Sequence, residues 1–511
     1  MHMAVRPPGP WNLPLIGSLH HLVGSHPQVA LRDLANKHGP VMFLRMGQLD
    51  TVVISSAAAA KEVLQEKDVI FASRPNLLSF DVFSYGHLDL VAAPYGQYWR
   101  MLRKLCMVEL LSGKVVRQLA PVRDHETLSL VRKIQAASQR NEPVNLSKLL
   151  MTCSSAITAK AAFGQVCSPE LLEQFLSAIE VLLKISGGFS YIDLFPSLEF
   201  LDVIVGARRQ MWETRRELDA VFDKIIALCD AQRGDNLVSI LLRIKDEGNT
   251  EFPLGLTNIR AIILDMFTGG TETTSTAAEW VMSELMRHPE AMAKAQAEVR
   301  RVFDNKPPED HQGHLDELPY MRMVIKESMR LNPVVPLLVP HFCRETCDIG
   351  GFEIKEGTRV IVNAFALARN PEYWPDAEKF RPERFEDGMI DYKTTQFEYL
   401  PFGAGRRRCP GDTFGMASLE LILARLLYYF DWTLPNGMQP DEFNMDTRNN
   451  EAEGQAPANG LAIYGNSHAK LIDALVYLFL RSSKFWSCTA RKACARIISF
   501  GLYNSNVAIK F

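Results

Sequence analysis

One cysteine, Cys409, stands in a stretch rich in glycine and arginine that could hold a reactive thiolate. The stretch reads Phe402-Gly403-Ala404-Gly405-Arg406-Arg407-Arg408-Cys409-Pro410-Gly411, and a helix is predicted to follow from Phe414 to Leu427. Glycines allow the backbone to approach a flat ligand, and successive backbone amides can point at a sulfur atom. This pattern therefore indicates a thiolate held against a metal ion or an electrophile.

Three interpretations of Cys409 differ in what the sulfur contacts. A buried structural cysteine in a basic turn is the usual role of a lone cysteine. Zinc fits badly, because no second cysteine or histidine lies at ligand spacing nearby. A haem iron with one axial cysteine fits the surrounding glycines and arginines, since the thiolate donates electron density that favours cleavage of an O–O bond. The length of the pattern favours the haem.

The pattern F-x-x-G-x-R-x-C-x-G resembles the haem-binding loop of the cytochromes P450. The resemblance implies that Cys409 is the axial ligand of the iron in haem b. It also implies that other residues of the loop contact this cofactor, namely Phe402, Gly405, Arg407 and Gly411. Three further motifs of the family occur in this sequence in the family's order.

Two segments carry residues that the resemblance assigns to the haem propionates. Trp99 and Arg103 are four residues apart and share a face if they lie on a helix, as in any amphipathic helix with a basic edge. In the family a W-x-x-x-R element binds a propionate, and arginine suits this task as a permanently charged bidentate donor. His341 ends an extended apolar segment and is expected near a propionate, with a charge that depends on pH.

A long helix is predicted over Thr257–Arg287, with Thr257 as its N-cap. Its middle reads Gly269-Gly270-Thr271-Glu272-Thr273-Thr274. Glycine costs about 1 kcal/mol relative to alanine inside a helix, and threonine hydroxyls can bond the carbonyl one turn back and bend the axis. The segment resembles the oxygen-activation groove of the cytochromes P450. The resemblance implies that Gly269 leaves room for dioxygen and that Glu272 and Thr273 are the catalytic pair that delivers protons.

The family also places an apolar substrate on this side of the haem. Proline and β-branched residues rule out a helix around Val335, so that segment is expected to line the pocket. The predicted contacts are the loop 76–95 through its residues 77–91, a roof from part of 170–215, and Phe267, Gly269, Val335 and Leu338.

Glu327 and Arg330 lie three residues apart on one predicted helical face. By itself such a pair would be a surface ion pair of at most about 0.5 kcal/mol. Together with Arg384 it resembles the Glu-Arg-Arg triad of the family, whose role is structural.

The fold class implied by the resemblance is mainly α with small β-sheets, the cytochrome P450 fold. The sequence itself predicts a strand pair over 41–54 around a turn, a helix over Ala57–Lys67, and helices almost throughout 120–250. Clear examples of the latter are Glu126–Gln135 and Arg208–Arg233. Residues 7–446 are expected to form the haem domain, between a short N-terminus at 1–6 and an atypical tail at 447–511.

Composition excludes some other classes of protein. The 511 residues include 56 basic and 59 acidic side chains, so the net charge of −3 argues against a nucleic-acid binder. The nine cysteines are scattered and odd in number, which indicates a reduced compartment without a disulfide framework. Cys343 and Cys347 are a weak candidate for a metal pair because no further ligand lies nearby.

Both ends of the chain depart from the family pattern. The proline-rich stretch Pro7–Gly17 resembles the hinge after a microsomal membrane anchor, but no run of about 20 apolar residues precedes it. After about residue 446 the family has a short hairpin whose turn enters the active site. Here 447–463 is polar and expected to be loose, and 469–511 contains Leu471–Leu480, too short to span a bilayer. Residues 469–511 are expected to contribute nothing to the fold, and a peripheral amphipathic helix is the alternative for this segment.

The wider sequence resembles plant class II cytochromes P450, in particular grass oxidases of pimaradiene-type diterpenes. The resemblance implies a haem-thiolate monooxygenase on the cytosolic face of the endoplasmic reticulum membrane. It would oxidise an apolar small molecule with O₂ and with electrons from NADPH, delivered by NADPH-cytochrome P450 reductase to a surface near Lys104, Arg406 and Arg408. Two alternatives remain: a haem-binding remnant impaired by the missing hairpin, and a thiolate-haem isomerase or dehydratase.

Overall fold

Helices dominate this chain because apolar residues recur at helical spacing in most of the segments between its prolines and glycines. The computed structural model describes residues 5–140, 144–186, 191–197, 202, 206–393, 396–434, 438–442, 445, 462–467 and 473–474. The α-helices are α1 (Pro27–His38), α2 (Ala57–Lys61), α3 (Asp68–Phe71), α4 (Leu78–Phe83), α5 (Gln97–Leu105), α6 (Gly113–Gln118), α7 (Ala120–Gln139), α8 (Leu146–Phe163), α9 (Pro169–Ser186), α10 (Tyr191–Leu194), α11 (Ala207–Ala231), α12 (Leu237–Glu247), α13 (Leu256–Arg287), α14 (Pro289–Phe303), α15 (Pro319–Leu331), α16 (Ala364–Leu367) and α17 (Asp412–Tyr429).

Short helical turns of other types complete the helical part. Among the described residues, the π-helical turns include Glu62–Glu66 and Cys106–Leu110, and the 3₁₀ helices include Leu19–Leu22, Pro308–Glu317, Pro382–Phe385 and Pro440–Glu442. Within the described residues, every helix is too short or too polar to cross a bilayer.

The strands form small sheets at the edge of the helical body. They are β1 (Val41–Met46), β2 (Leu49–Ile54), β3 (Val144–Asn145), β4 (His341–Phe342), β5 (Cys347–Ile349), β6 (Phe352–Ile354), β7 (Arg359–Val362), β8 (Phe430–Thr433), β9 (Ala462–Ser467) and β10 (Asp473–Ala474). One sheet has the order β1-β2-β7-β4, in which β2 and β7 are parallel and the other pairs antiparallel. Strands β5 and β6 form a hairpin, and β9 pairs with β8, β3 and β10.

Helix α13 runs through the middle of the core. Every residue from Thr274 to Met286 is buried, as expected for a helix enclosed on all sides by other elements. It packs against α8 on one side and α17 on another. Since α17 directly follows the Cys409 loop, this packing fixes the distance between the loop and the glycine-threonine segment of α13.

The fold class and most predicted elements are confirmed. Strands β1 and β2 form the strand pair over 41–54, and α17 follows the cysteine. Helix α7 contains the predicted helix Glu126–Gln135, and α11 matches the predicted helix Arg208–Arg233 except that it ends at Ala231. Asp202 and residues 191–197 are described between α9 and α11, whereas the predicted break at Gly187-Gly188 lies outside the described residues.

Three predicted boundaries are wrong. The N-cap of α13 is Gly255 and not Thr257, because the side chain of Asn258 accepts a hydrogen bond from the Gly255 amide at 2.9 Å. The predicted loop 76–95 contains helix α4. The predicted helix Ala57–Lys67 is α-helical only to its fifth residue and continues as a π-helical turn.

Residues 447–463 were expected to be loose and 469–511 to contribute nothing to the fold, and the described strands differ from both expectations. Strand β9 includes the end of the first segment, and β10 in the second pairs with β9 through Asp473↔Asn466 and Ala474↔Gly465. Strand β9 lies within the tail and pairs along its length with β8, from Thr433↔Tyr464 to Phe430↔Ser467. It also pairs with β3, which precedes α8. Apart from β9 and β10, the residues from 446 onward lie outside the described part of the chain, and the predicted domain limits stay predictions.

Candidate active site

Cys409 is held by hydrogen bonds of its own loop. Its amide donates to the carbonyl of Phe402 at 2.9 Å, and the chain enters helix α17 at Asp412. The amide of Gly411 donates to the sulfur, as the sequence predicts for an amide-lined thiolate. The sulfur-bearing residue lines a cavity of about 370 Å³ together with Phe402 and Gly411. The loop therefore presents one cysteine to an enclosed space.

The glycines of this loop are required for different reasons. Gly405 has φ +69°, and a Cβ there would lie 2.0 Å from the backbone carbonyl oxygen of Leu64. Gly405 does not line the cavity, and its close packing on Leu64 is the reason the structure gives for a glycine there. Its predicted contact with the cofactor stays a prediction. Gly411 does lie at the site, because a Cβ there would be 3.9 Å from Sγ of Cys409.

The cysteine thiol is protonated as long as it is buried without a cation. Burial raises the pKa of Cys409, whereas the Gly411 amide and the guanidinium groups of Arg103 and Arg408 lower it by smaller amounts. A metal ion reverses this balance, because a coordinating thiol loses its proton on binding. The site is thus set for a thiolate that forms together with its metal.

Helix α13 forms the wall opposite Cys409. Gly269, Gly270 and Thr273 line the cavity. A Cβ on Gly269 would meet no atom within 4 Å, whereas one on Gly270 would lie 3.2 Å from Oγ1 of Thr158 on α8. Gly269 therefore leaves open space, as predicted, and Gly270 permits close packing of two helices.

The predicted catalytic pair is only partly brought together at the cavity. The hydroxyl of Thr273 donates to the carbonyl of Gly269 at 2.5 Å, and that of Thr268 donates to Leu264 at 2.8 Å. These are the predicted bonds to the preceding turn, and α13 remains continuous through them. Glu272 is half-buried and does not line the cavity, since the next position on a helix lies about 100° around its axis. A proton from Glu272 must reach the cavity through another group.

Apolar residues line the remaining wall. Val335 and Leu338 do so as predicted, and Leu338 has a left-handed backbone with φ +50°. From the predicted segment 77–91 only Leu90 and Val91 line the cavity. The part of the cavity beside Leu90, Val91, Val335 and Leu338 therefore suits an apolar part of a ligand.

Phe267 does not belong to this wall, which corrects its predicted role in the substrate pocket. It is fully buried and packs on Phe163 at 5.9 Å and on Phe175 at 4.4 Å between ring centroids. Met266, its neighbour on α13, lines the cavity instead.

The predicted roof within 170–215 lies partly outside the described residues, at 187–190, 198–201 and 203–205, and stays a prediction there. None of the described residues within 170–215 lines the cavity. Residues of α8 and α12 do, namely Ala161, Ala162, Leu237 and Ile240.

The residues predicted to bind propionates line the same cavity, but their donors are partly used within the protein. Nε1 of Trp99 donates to the carbonyl of Leu90 at 3.0 Å, and Nη2 of Arg103 donates to the carbonyl of Arg408 at 2.7 Å. Tryptophan has one donor, so in this conformation Trp99 cannot also bind a propionate. Arg103 has four further N–H groups, and its propionate role stays a prediction.

Arg407 lies across the face of Trp99, with its guanidinium carbon 4.4 Å from the ring centroid. It donates to backbone carbonyls of Ala72 at 2.6 Å, Leu90 at 3.0 Å and Val91 at 3.3 Å, and also to that of Ala93. Burial lowers the pKa of Arg407 to about 10, so it remains charged at neutral pH. One of its five N–H groups is left for a ligand.

His341 is buried at the cavity and its Nδ1 lies 2.8 Å from the carbonyl of Phe71. This contact makes Nδ1 the protonated nitrogen and leaves Nε2 as an acceptor. Burial, together with the charges of Arg74 and Arg407, lowers the pKa of His341 to about 3. The expected pH-dependent charge near neutrality is therefore wrong for this environment, where the imidazole stays neutral.

Two further polar residues at the cavity escaped the sequence interpretation. Arg74 lines the cavity and donates through Nη1 to the carbonyls of Val339 at 2.6 Å and Pro340 at 2.9 Å. Asp265 on α13 also lines it. Its signal was available, because a carboxylate within the apolar run Ile262–Phe267 is unusual in a buried helix.

The cavity fits a haem better than a metal ion bound by protein ligands alone. Among the described residues no group of three or more His, Cys, Asp or Glu side chains could hold a metal, so the protein offers one sulfur and the other ligands must come with the metal. Arg74, Arg103 and Arg407 line the cavity, and in the described part of the chain none of them forms a salt bridge. Buried cations need counter-charges, which two propionates would provide.

The predicted Glu-Arg-Arg triad is confirmed as a buried ion cluster away from the cavity. Arg330 donates to both carboxylate oxygens of Glu327, at 2.7 and 2.8 Å, and Arg384 donates at 3.0 Å. The side chains of Glu327 and Arg330 have no exposed surface. This burial distinguishes the cluster from the surface pair that the spacing alone would suggest.

Comparison with known proteins gives the same picture. The family model described as Cytochrome P450 matches residues 7–452. "Cytochrome P450 99A2" of Oryza sativa subsp. japonica is 70% identical over 447 residues, 86% of this chain and 84% of the relative. "9-beta-pimara-7,15-diene oxidase" of the same subspecies is 66% identical over 441 residues, 86% of this chain and 88% of the relative.

Another grass protein and a solved structure extend these matches. "Cytochrome P450 CYP99A1" of Sorghum bicolor is 58% identical over 469 residues, covering 86% of this chain and 90% of the relative. A zebra fish cytochrome P450 structure with progesterone superposes with a TM-score of 0.74 over 87% of this chain and 100% of its own, at 24% identity. At this identity the structural match shows the fold alone.

Proposed function

This chain belongs to the cytochrome P450 family of haem-thiolate monooxygenases, and from that membership we propose that it oxidises a diterpene of the pimaradiene type. Its cofactor is haem b, which when bound supplies the activation of dioxygen. The observation that carries the substrate proposal is the 66% identity to 9-beta-pimara-7,15-diene oxidase. An apolar hydrocarbon also suits the wall formed by Leu90, Val91, Val335 and Leu338.

The residues that line the cavity would have different roles in the reaction. Cys409 provides the sulfur ligand, and the Gly411 amide stabilises its negative charge. Arg103 and the remaining N–H of Arg407 would hold the carboxylates of the haem. Thr273 holds a hydroxyl proton at the cavity wall of α13, where it can be passed on to oxygen-bearing groups. The apolar wall orients the substrate and excludes water.

We propose that NADPH-cytochrome P450 reductase delivers the electrons at the outer face of the Cys409 loop. Arg406 and Arg408 reach that surface, where they pair with Asp68 at 3.1 Å and Asp412 at 2.7 Å. Lys104 is exposed. These cations are partly neutralised, so an acidic partner would compete with the two aspartates for them. The same proposal places the protein on the cytosolic face of the endoplasmic reticulum membrane, where the reductase of class II enzymes acts.

The test is reconstitution of the purified holoprotein with reductase and NADPH. We expect it to consume 9β-pimara-7,15-diene and form an oxygenated product that carries one atom from ¹⁸O₂. Premnaspirodiene, the hydrocarbon named in a relative of 45% identity, is the matched competing substrate. A larger kcat/KM for premnaspirodiene would contradict the diterpene assignment.

The cysteine ligand is checked in the same preparation. Cys409→Ser is expected to abolish the red-shifted CO band that reports a thiolate-bound haem. Cys343→Ser, which changes a buried cysteine outside the cavity, is expected to leave that band unchanged. A normal band without turnover of any diene would indicate a haem-binding protein without oxidase activity.

A further inference from the structure

Two carboxyl groups meet beside the cavity, one on helix α13 and one on the loop that follows α4. Oδ2 of Asp265 accepts hydrogen bonds from the amides of Leu90 at 2.7 Å and Val91 at 3.3 Å. Oδ1 of Asp89 accepts from the amides of Ala92 at 2.7 Å and Ala93 at 3.2 Å. The four amides are consecutive in the chain, so the two carboxyl groups lie side by side, and each shifts the pKa of the other. Two carboxylates that share a buried site do not both ionise, so one of the pair carries a proton.

The same short segment, residues 89–93, is held from its other side by donors. We name residues 89–93 the roof segment, which is distinct from the roof predicted within 170–215. The carbonyl of Leu90 accepts from Trp99 and Arg407, each at 3.0 Å. The carbonyl of Val91 accepts from Nε of Arg74 at 3.2 Å. The amides of the roof segment therefore donate to Asp89 and Asp265, and its carbonyls accept from Trp99, Arg407 and Arg74. Leu90 and Val91 of this segment line the cavity.

The charges around the pair decide where the proton resides. Burial raises the pKa of Asp265 well above its ordinary value, and the neighbouring charge of Asp89 raises it further. Burial also raises the pKa of Asp89, but its backbone hydrogen bonds and the charge of His87 lower it in part. Arg74 and Arg407 face Asp89 as well.

The remaining titratable groups near the pair are not cationic. Tyr98 on α5 faces both carboxyl groups, and burial raises its pKa. Cys106 faces Asp265, and burial raises its pKa to about 12. Both are neutral at neutral pH, so the proton belongs on Asp265 and the negative charge on Asp89, near the arginines.

We propose that Asp89 and Asp265 are positioning residues that share one proton and thereby fix the roof segment against the substrate. Loss of that proton places two negative charges in contact and releases the segment from α13. Because folding raises the pKa of Asp265, the stability that the pair provides is present at acid pH and is lost as pH rises through the folded pKa. The substrate part of this role rests on the proposed oxidase function, whereas the shared proton does not.

The experiment that tests the shared proton is hydrogen exchange of the roof amides in the purified holoprotein, followed with rising pH over the whole range in which the protein stays folded. After correction for intrinsic exchange, wild-type protein should show rising exchange toward alkaline pH. Asp265→Asn keeps an accepting oxygen and a permanent N–H donor, so its roof segment should stay protected at every pH. Asp265→Ala should exchange rapidly throughout, and Asp89→Asn, as a second conservative variant, should behave like Asp265→Asn.

Glu284→Gln is the matched control on the same helix. Glu284 is buried, burial raises its pKa, and it accepts from Asn332 at 2.7 Å away from the cavity. This control should alter global unfolding against pH while leaving roof exchange unchanged. A flat wild-type profile, or equal loss of protection in Asp265→Asn and Asp265→Ala, would overturn the shared proton.

A kinetic measurement separates positioning from a purely structural role. Asp265→Ala should raise KM for 9β-pimara-7,15-diene about tenfold with little change in kcat, as expected when binding rather than chemistry is impaired. Asp265→Asn should restore KM. If the diene is not turned over by any variant, the proposed substrate fails while the exchange profiles still decide the acid pair. A normal KM in Asp265→Ala would contradict the positioning role.

Discussion

The ion cluster around Glu327 and the basic residues around Cys409 both place arginines inside the protein, but their donors end on different acceptors. Arg330 binds the Glu327 carboxylate and the carbonyls of Ala368 and Ala377, at 2.6 and 2.8 Å. In contrast, Arg407 binds backbone carbonyls, and among the described residues no carboxylate forms a salt bridge with it.

The difference separates residues that stabilise the fold, around Glu327, from residues that could bind a ligand, around Cys409. A buried ion pair whose partners meet within the protein is strongly destabilised when one partner is removed. Around the cavity, Arg74, Arg103 and Arg407 outnumber the Asp89 carboxylate that faces Arg74 and Arg407, so an anionic ligand would balance the remaining positive charge. Mutations in the first cluster should therefore reduce folding, and mutations around the cavity should reduce cofactor retention or turnover.

The largest effect is expected for Glu327→Gln. The substitution leaves Arg330 and Arg384 buried without their shared carboxylate, and breaking a buried pair costs about 3–5 kcal/mol. We expect little soluble holoprotein and a large drop in thermal unfolding temperature. Lys294→Gln, which removes the exposed pair with Glu383, is the control and should unfold like wild type. A stable Glu327→Gln protein with poor haem retention would break the distinction between the clusters.

Thr273→Val should reduce turnover without reducing stability. The hydroxyl is lost while the shape is nearly kept, and a positioned proton donor contributes at least about 100-fold to a rate. We expect product formation per NADPH consumed to fall, with an unchanged unfolding temperature. Thr273→Ser retains the hydroxyl and should recover most of the coupling. Equal coupling in the Val and Ser variants would show that the hydroxyl does not deliver the proton.

Gly405→Ala tests whether a glycine is required there for packing, and Gly269→Ala tests whether a glycine is required there to keep space in the cavity. At Gly405 a Cβ would collide with the Leu64 carbonyl in a left-handed backbone, so we expect a loss of about 1–3 kcal/mol in unfolding free energy. At Gly269 the Cβ enters open space, so stability should be kept and substrate binding should weaken. The unfolding temperature and the substrate-induced spectral shift measure the two effects. Similar destabilisation of both variants would contradict the assignment.

The smallest effect is expected for His311→Phe, which lies outside both clusters. His311 stacks on Phe303 at 4.0 Å, and burial together with the charge of Arg425 lowers its pKa from 6.5 to about 4. Folding thus favours the neutral ring, so stability is lost as pH falls from about 6.5 to about 4. The variant should unfold less readily at acid pH than wild type and equally at neutral pH. The measurement is the unfolding temperature as a function of pH. If the variant and wild type lose the same stability at acid pH, this interpretation is wrong.

The local sequence determined the long helix and the strand pair, and it predicted Cys409 as the sulfur ligand. Helical spacing, turn residues and the loop around Cys409 act over a few positions, so they can be interpreted without knowledge of distant contacts. The same holds for the face shared by Trp99 and Arg103, and for the bond from Thr273 to the preceding turn.

Only the tertiary structure decided which of these side chains reach the cavity. Phe267 turns toward Phe163 and Phe175, Gly405 is required by Leu64, and β9 from the tail joins β8. The acid pair of Asp89 and Asp265 joins residues far apart in sequence. Each of these arrangements depends on a contact between segments that are distant in sequence, and the spacing of neighbouring residues does not predict such contacts. For the acid pair, the burial that raises the pKa of Asp265 also depends on the tertiary structure.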